Sequence, residues 1–230
     1  MKLLLFDVDQ TLISTGGAGI RALNRACKKL LSVENAMERI TPHGKTDPAI
    51  VREILLTHLG STSSRDSDFE PVIESYLSFL REEVQLSNAY RVLPGILEIL
   101  QEMAERPDVM LGLATGNVEL GARIKLERGG LNPYFSFGGF GSDSESREAL
   151  VRKGAEAAAR KCGSAIQPGN VFVIGDTPRD IEAGRDAGFR TVGVGTGSYS
   201  PDQLLESGAT FAISDFHQGR DQFLRSAFIE

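Results

Sequence analysis

Short apolar runs alternate along this chain with longer segments of helical spacing, and this alternation constrains the fold more than any other feature. The runs are short and continuously apolar, which is typical of strands that are covered on both faces. Alternating strands and helices favour right-handed crossovers between parallel strands, so the pattern predicts an α/β fold with a parallel sheet. The predicted strands are residues 3–8, 109–114, 171–174, 190–194 and 210–213, and the predicted helices are 94–106, 118–128, 148–162 and 178–187.

Residues 14–89 interrupt this rhythm, because they contain helical patterns and no convincing strand. Apolar residues recur there at helical spacing in three stretches, and residues 61–66 are predicted to form a polar loop between two of them. The simplest account is an all-helical domain inserted after the first strand. We therefore predict an α/β core of residues 1–13 and 90–230 and a helical domain of residues 14–89.

Carboxylates follow two of the predicted strands directly. Ligands of such a sheet bind at the carboxyl ends of its strands. Asp7 and Asp9 end the first apolar run two residues apart and so point to one side, while Asp176 follows the strand at 171–174. A strand-end turn accounts for Asp7 and Asp9 alone but not for the matching Asp176. Carboxylates gathered without a His or Cys partner suit Mg²⁺, which usually also holds a substrate phosphate.

A third strand end carries Thr115, Gly116 and Asn117, where a helix is predicted to begin. A hydroxyl and backbone N–H groups at a helix N-terminus form an anion site. A simple capping turn would account for the same residues standing alone. Opposite a carboxylate cluster, the phosphate-binding interpretation is the better one.

Three motifs in this order resemble the haloacid dehalogenase-like hydrolase superfamily, in the subgroup with a helical cap after the first strand. The phosphoglycolate phosphatase-like branch is the nearest fit, and the resemblance covers nearly the whole chain. It implies a Rossmann-like parallel sheet core that carries a helical cap domain. The motifs are Phe6-Asp7-Val8-Asp9-Gln10-Thr11-Leu12, the Thr115 turn, and Gly175-Asp176-Thr177-Pro178-Arg179-Asp180 leading to Ala183-Gly184 and Ala187-Gly188.

The resemblance implies a role for each of these residues. Asp7 would be the nucleophile and a Mg²⁺ ligand. Asp9 would be the general acid and base, and a metal ligand through its backbone carbonyl. Asp176 would be the other protein ligand, with Asp180 at or beside the ligand set, and Thr115 would hold the phosphoryl group.

Two departures from the superfamily pattern stand out. The usual Gly between the second Asp and the Thr is Gln10 here, which leaves the conformation of that loop open. The third motif is a Lys, often followed by Pro, and no Lys-Pro occurs in this chain. We favour Arg147 for that cation and for phosphate binding, because a cation at a helix start faces the strand ends. Lys153, over a turn further into the helix, is the alternative.

Two other segments are candidates for the site. Lys45 lies in a Gly-Lys loop that enters a helix, and we predict that it contacts the substrate. The alternative is that Thr46 or Asp47 beside it simply caps that helix. The glycine-rich stretch at 138–141 is predicted to be a loop beside the site.

The function favoured by these residues is a Mg²⁺-dependent phosphatase. It would hydrolyse a small phosphate monoester, phosphoglycolate-like or a sugar phosphate, through an aspartyl-phosphate on Asp7. A phosphomutase of the same superfamily would keep the same core residues and stays open as an alternative. Asp9 disfavours a haloacid dehalogenase, which needs neither it nor Mg²⁺, and a phosphonatase, which replaces it. A phosphoacceptor signalling domain is much shorter and lacks a helical insert.

Composition limits the partners and the location. The formal net charge of -6, without basic clusters, argues against nucleic acid, and the 2 Cys fit a reducing compartment rather than a disulfide framework. No run approaches the roughly 18 apolar residues of a membrane span. Asp7 and Asp9 end the first apolar run too early for a signal peptide. We expect a cytoplasmic monomer or homodimer that acts on a small phosphorylated metabolite.

Overall fold

A computed structural model describes residues 1–60 and 66–228 of the chain. Most of the polar loop predicted at 61–66 therefore lies outside the described residues. The strands are β1 (Lys2–Phe6), β2 (Ile13–Ser14), β3 (Arg91–Val92), β4 (Val109–Thr115), β5 (Gly138–Phe140), β6 (Val171–Gly175), β7 (Arg190–Val194) and β8 (Phe211–Ile213). The helices are α1 (Ala18–Leu31), α2 (Asp47–Leu59), α3 (Asp66–Leu86), α4 (Ile96–Ala104), α5 (Glu119–Glu127), α6 (Arg147–Cys162), α7 (Pro178–Asp186), α8 (Pro201–Glu206) and α9 (Arg220–Phe228).

A parallel sheet forms the centre of the fold, with the strand order β5-β4-β1-β6-β7-β8 across the described residues. The first strand of the chain, β1, lies between β4 and β6, with Leu4 paired to Leu111 on one side and to Phe172 on the other. The predicted α/β class with a parallel sheet is confirmed. This order brings the carboxyl ends of β4, β1 and β6 side by side.

The two faces of the sheet bury alternate residues of each strand. In β1, Leu4 and Phe6 belong to the core under α4, α5 and α9, whereas Leu3 and Leu5 belong to the core under α6 and α7. All four side chains are fully buried. Because both faces are covered, residues 3–6 are all apolar, and the sequence therefore shows a continuous apolar run rather than alternation.

Helices α1, α2 and α3, which we call the helical segment, lie in the chain between β2 and β3. They share a hydrophobic core of their own, centred on Leu23, Ile54 and Tyr76. The two ends of the segment are joined by the antiparallel pair of β2 and β3, in which Ser14 faces Arg91. Ser14 thus lies in a short strand, which corrects by one residue the prediction of no strand in 14–89.

The glycine-rich stretch at 138–141 is not the loop that we predicted, because residues 138–140 form the edge strand β5. A Cβ atom on Gly139 would lie only 1.9 Å from the carbonyl oxygen of Leu150, so α6 packs directly on the backbone of this strand. The glycines therefore reflect close packing between helix and strand, not a turn.

The described helices also bear on the membrane prediction. None of them combines the length and the apolar character needed to cross a lipid bilayer.

Candidate active site

The three central strands end at a cavity that the helical segment covers. Asp7 follows β1, Thr115 ends β4 and Asp176 follows β6, so the strand order places all three at one edge of the sheet. The cavity has a volume of about 170 Å³ and is lined both by these strand ends and by the helical segment. This arrangement agrees with the prediction that the polar strand ends come together.

Three carboxylates form a compact buried cluster in this cavity. One oxygen from each of Asp7, Asp176 and Asp180 lies within 4.8 Å of the other two. Burial, and then the charge of Asp180, raise the pKa of Asp7 to about 7. Burial, Asp180 and Asp7 together raise the pKa of Asp176 to about 9. Burial and mutual repulsion both oppose ionisation of these carboxylates, and a divalent cation relieves both effects. Their oxygens are the ligands that hard cations prefer, so the donor set fits Mg²⁺.

Asp180 is already engaged through both of its oxygens. Oδ2 accepts hydrogen bonds from the backbone N–H of Thr177 at 3.1 Å and from its hydroxyl at 2.7 Å, which caps α7. Oδ1 is paired with the guanidinium group of Arg147. Gly175 is required beside it, since a Cβ there would lie 2.3 Å from Cγ of Asp180. Asp180 therefore holds Arg147 and the start of α7 next to the cluster, while Asp7 and Asp176 have the more open oxygens.

Arg147 reaches the carboxylates and Lys153 does not. Nη2 of Arg147 lies 3.5 Å from Oδ1 of Asp7, and only 13% of this side chain is exposed. Lys153 is half exposed, and its ammonium group lies 3.8 Å from Asp143. Burial opposes the charge of Arg147, but Asp180 and Asp7 raise its pKa overall. The geometry thus favours Arg147 for the third-motif cation, and its catalytic role stays a prediction.

The loop from Asp7 to Thr11 turns sharply at Gln10, the position at which the superfamily pattern has glycine. Gln10 has a φ of 59°, a left-handed conformation that glycine adopts most readily. Its backbone N–H donates to Ile13 at 2.7 Å, and its carbonyl accepts a hydrogen bond from the Thr196 hydroxyl. Gln10 therefore preserves the turn at some cost in backbone strain. Next to it, the Thr11 hydroxyl donates to Asp176 at 3.5 Å.

The Thr115 turn presents its side chains to the carboxylates. The Thr115 hydroxyl is fully buried, hydrogen-bonds Asp7, and accepts from Nδ2 of Asn117 at 2.8 Å. A Cβ on Gly116 would lie 2.4 Å from the backbone oxygen of Lys45, so glycine lets the helical segment approach. The three residues predicted to bind phosphate therefore do line the cavity beside Asp7.

The Asp9 side chain belongs to a second polar network in the same cavity as the carboxylate cluster. Its Oδ2 accepts from Nδ2 of Asn117 at 2.9 Å and lies 2.6 Å from Nζ of Lys125. Lys125 also donates to Oδ1 of Asn117. Burial opposes the charge of Lys125, but Asp9, Tyr76 and Asp47 raise its pKa. The Asp9 side chain is therefore held by Asn117 and Lys125, and metal ligation through its backbone carbonyl stays a prediction.

Lys125 was not singled out from the sequence, although its place on an apolar stripe of the predicted helix is unusual for a lysine. It follows Gly121 and Ala122 by four and three residues, on the face of α5 that is buried. A lysine on an apolar helical stripe is expected to reach solvent with its charged end. Only 5% of Lys125 is exposed, because Asp9 supplies a partner from a distant strand end that helical periodicity does not reveal.

The helical segment touches the Thr115 turn through the start of α2. Thr46 caps this helix by accepting from the N–H of Ala49, as the alternative interpretation of this loop predicted. The backbone N–H of Asp47 donates to Gly116 at 2.7 Å, and Oδ2 of Asp47 accepts from Val118 at 3.0 Å. Burial raises the pKa of Asp47 to about 6.

Lys45 lines the same cavity with one-fifth of its side chain exposed, and its ammonium group is paired with Glu53. Substrate contact by Lys45 therefore requires that this pair open or be shared, and it stays a prediction. The helical segment also gives the cavity an apolar patch. It consists of Ile20, Leu23, Met37, Ile50 and the ring of Tyr76.

Known proteins match this chain over most of its length. The sequence is 24% identical over 225 residues to "Probable phosphatase IndB" of Dickeya dadantii (strain 3937), covering 94% of this chain and 90% of that protein. It is 30% identical over 145 residues to a phosphoglycolate phosphatase of Synechococcus elongatus (strain ATCC 33912 / PCC 7942 / FACHB-805), covering 60% and 63% of the two chains. These matches confirm the resemblance predicted from the motifs.

The fold has solved counterparts, and a family model covers the site. A crystal structure titled as a predicted phosphoglycolate phosphatase from Haemophilus somnus 129pt superimposes with a TM-score of 0.72 at 20% identity, over 96% of this chain and 97% of that one. The family model described as haloacid dehalogenase-like hydrolase matches residues 4–194, which include every strand-end residue discussed above. With its motifs, its parallel sheet and this match in agreement, the chain belongs to the haloacid dehalogenase-like hydrolase family.

Proposed function

We propose that this hydrolase is a Mg²⁺-dependent phosphatase that cleaves a small phosphate monoester through an aspartyl-phosphate on Asp7. The observation that carries the proposal is the meeting of Asp7, Asp176, Thr115 and Arg147 within one buried cavity. A nucleophile, metal-binding oxygens, a hydroxyl and a cation are the parts that phosphoryl transfer needs.

The metal would be held by Asp7, Asp176 and the backbone carbonyl of Asp9, with Asp180 beside them. When bound, Mg²⁺ neutralises negative charge on the carboxylates and on the transferring phosphoryl group. Arg147 adds a second positive charge 3.5 Å from Asp7. Asp180 keeps that guanidinium in place, so its orientation does not depend on the substrate.

The chain's own residues account for both halves of the reaction. A carboxylate oxygen of Asp7 attacks phosphorus, while the bond to the substrate oxygen breaks and Asp9 gives that oxygen its proton. Asp9 then takes a proton from the water that attacks the aspartyl-phosphate. The P–O bond to Asp7 breaks, which releases inorganic phosphate and restores the Asp7 carboxylate. Thr115 and the neighbouring backbone N–H groups hold the phosphoryl oxygens through both steps.

The helical segment would act as a cap. Residues 14–89 form this cap in our proposal, and residues 1–13 and 90–230 form the core. Because the start of α2 is hydrogen-bonded to the Thr115 turn, the cap closes the cavity from bulk water. The cavity of about 170 Å³ suits a small phosphorylated metabolite, of which phosphoglycolate and sugar phosphates are the first candidates.

A substrate panel assayed with Mg²⁺ and with EDTA tests this function. We expect phosphate release from small monoesters by wild type with Mg²⁺, and loss of that activity in EDTA and in Asp7→Asn. Asp221→Asn is a matched control, since this aspartate lies on α9 with 76% of its side chain exposed. Equal phosphatase activity in wild type and Asp7→Asn would contradict the mechanism. Transfer of phosphate to a second sugar hydroxyl, rather than to water, would identify a mutase instead.

A further inference from the structure

Lys125 is a buried cation that the proposed chemistry does not yet use. It lies on α5, is 5% exposed, and contacts no member of the carboxylate cluster formed by Asp7, Asp176 and Asp180. Burying a lysine is unfavourable unless partners compensate the loss of hydration. The direct hydrogen bonds of its ammonium group go to Asp9 and Asn117, and both residues belong to motifs at the strand ends.

Both contacts to Asp9 converge on one of its oxygens. Oδ2 accepts a hydrogen bond from Nζ of Lys125 at 2.6 Å and another from Nδ2 of Asn117 at 2.9 Å. Within residues 1–60 and 66–228, no donor is paired with Oδ1, and 39% of the Asp9 side chain is exposed in the cavity. One carboxylate oxygen is therefore anchored, and the other is left for exchange of a proton.

Lys125 also fixes the orientation of Asn117. The Asn117 amide donates through Nδ2 to Asp9 and to the Thr115 hydroxyl, and it accepts from Lys125 through Oδ1. A rotated amide would place its N–H groups against the ammonium group and its oxygen against two acceptors. Lys125 thus determines which face of Asn117 meets Asp9.

We propose that Lys125 is a positioning residue that anchors Oδ2 of Asp9, directly and through Asn117, so that Oδ1 exchanges the proton with the leaving oxygen and then with water. This inference rests on the proposed function of Asp9 as general acid. The step is balanced: the P–O bond to the alcohol breaks, and the proton on Asp9 goes to the departing oxygen. Lys125 gives up no proton in this account.

Substrates with different leaving groups test this role. An alkyl phosphate needs a proton as it leaves, whereas p-nitrophenyl phosphate releases a stable anion and needs much less acid help. We expect Lys125→Met to lower kcat/KM for propyl phosphate by roughly 10- to 100-fold and kcat/KM for p-nitrophenyl phosphate by less than about threefold. The constant kcat/KM ends with phosphorylation of Asp7, so the later hydrolysis, in which Asp9 acts as base for both substrates, does not enter the comparison. Asp9→Asn should show the same selectivity to a greater degree. The double variant should resemble Asp9→Asn alone, because Lys125 acts through Asp9.

The ratio of the two kcat/KM values on one preparation is the decisive quantity. A partly unfolded variant loses both activities equally, so the ratio does not depend on the folded fraction. Lys161→Met, an exposed lysine on α6, is the matched control and should keep the wild-type ratio. Asn117→Ala is a second variant that removes the other contact to Oδ2, and it should shift the ratio in the same direction. Added ethylamine should partly restore propyl phosphate turnover in Lys125→Ala.

Three outcomes would overturn the inference. An equal loss of kcat/KM with both substrates identifies a structural role, or a substrate-binding cation where the whole loss lies in KM. An unchanged ratio in both Lys125→Met and Asn117→Ala excludes positioning. These results leave the proposed phosphatase function intact. Absence of metal-dependent activity in wild type toward every monoester is a failure of that function itself and is recognisable before any variant is made.

Discussion

The guanidinium group of Arg147 lies 3.5 Å from the carboxylate of Asp7, although the chain lacks the Lys-Pro pair expected near this point. Arg147 occupies the first position of α6, whose N-terminus faces the strand ends. Ser146 caps the helix by accepting from the N–H of Ala149. The cap and the first turn of α6 therefore aim this side chain at the cavity.

Replacing Arg147 should impair turnover much more than replacing Lys153. We expect Arg147→Ala to lower kcat by about 100-fold, because a preorganised charge near the transferring group is lost. Lys153→Ala, on the exposed face of the same helix, should stay within about twofold of wild type, because its ammonium group lies beside Asp143 and does not reach the carboxylates. Steady-state kinetics on one monoester compares the two variants. A larger loss in Lys153→Ala would reverse the assignment.

The stability of the metal-free protein should fall as the pH rises. Asp7 and Asp176 have folded pKa values of about 7 and about 9, above their ordinary value of 3.8. Between about pH 4 and pH 9 the folded protein therefore holds protons that the unfolded chain has released, and this contribution is lost as pH increases. In EDTA, calorimetry should show a Tm that decreases across this window.

Magnesium should reverse that trend, because the metal replaces the protons on the same carboxylates. The increase in Tm on adding Mg²⁺ should be larger at about pH 8 than at about pH 6. Asp176→Asn should flatten the pH dependence of Tm and abolish most of the Mg²⁺ effect, whereas Asp221→Asn should not. A Mg²⁺ shift that is the same at both pH values would contradict this account of the cluster.

Asp47 should make its own contribution to pH-dependent stability. Its pKa is about 6 in the folded protein, so stability is lost as pH rises from about 4 to above 6. Asp47→Asn keeps an oxygen for the N–H of Val118 and carries no charge. It should match wild type near pH 4 and exceed it at neutral pH by up to about 3 kcal/mol. Denaturant titrations at the two pH values measure this difference, and lower stability of the variant at neutral pH would contradict it.

Lys45 is predicted to contribute to substrate binding rather than to the chemical step. Lys45→Met should raise KM by several-fold and leave kcat within about twofold, because a contact made equally in ground and transition states affects binding alone. Glu53→Gln removes the ammonium group's present partner and should lower KM. A hundredfold loss of kcat in Lys45→Met, with KM unchanged, would assign it to catalysis instead.

Much of this architecture was predictable because it depends on local patterns. The sequence shows one apolar run at Leu3, Leu4, Leu5 and Phe6, because the two faces of the sheet bury alternate members of this run. The strand β5 was not predictable in this way, since its glycines reflect close packing against α6 in the folded chain and not a local turn. The buried position of Lys125 was also not predicted, because it depends on a contact in the folded chain with Asp9, which is 116 residues away.

The candidate site shows the same division. Asp7, Asp9 and Asp176 could be found because each follows a strand, and parallel topology gathers strand ends. The sequence could not show which carboxylate oxygens are free, because that depends on contacts of Asp180 and Asn117 that form only in the folded chain.

The central claim is that Asp7 becomes phosphorylated during turnover. Enzyme mixed with a good monoester substrate and Mg²⁺, quenched in acid before the steady state, should carry phosphate on the peptide that contains Asp7. Mass spectrometry of the digested protein should locate it there, and the modification should be absent in Asp7→Asn. Phosphate release at the wild-type rate by Asp7→Asn, with no phosphorylated peptide in either protein, would contradict the account.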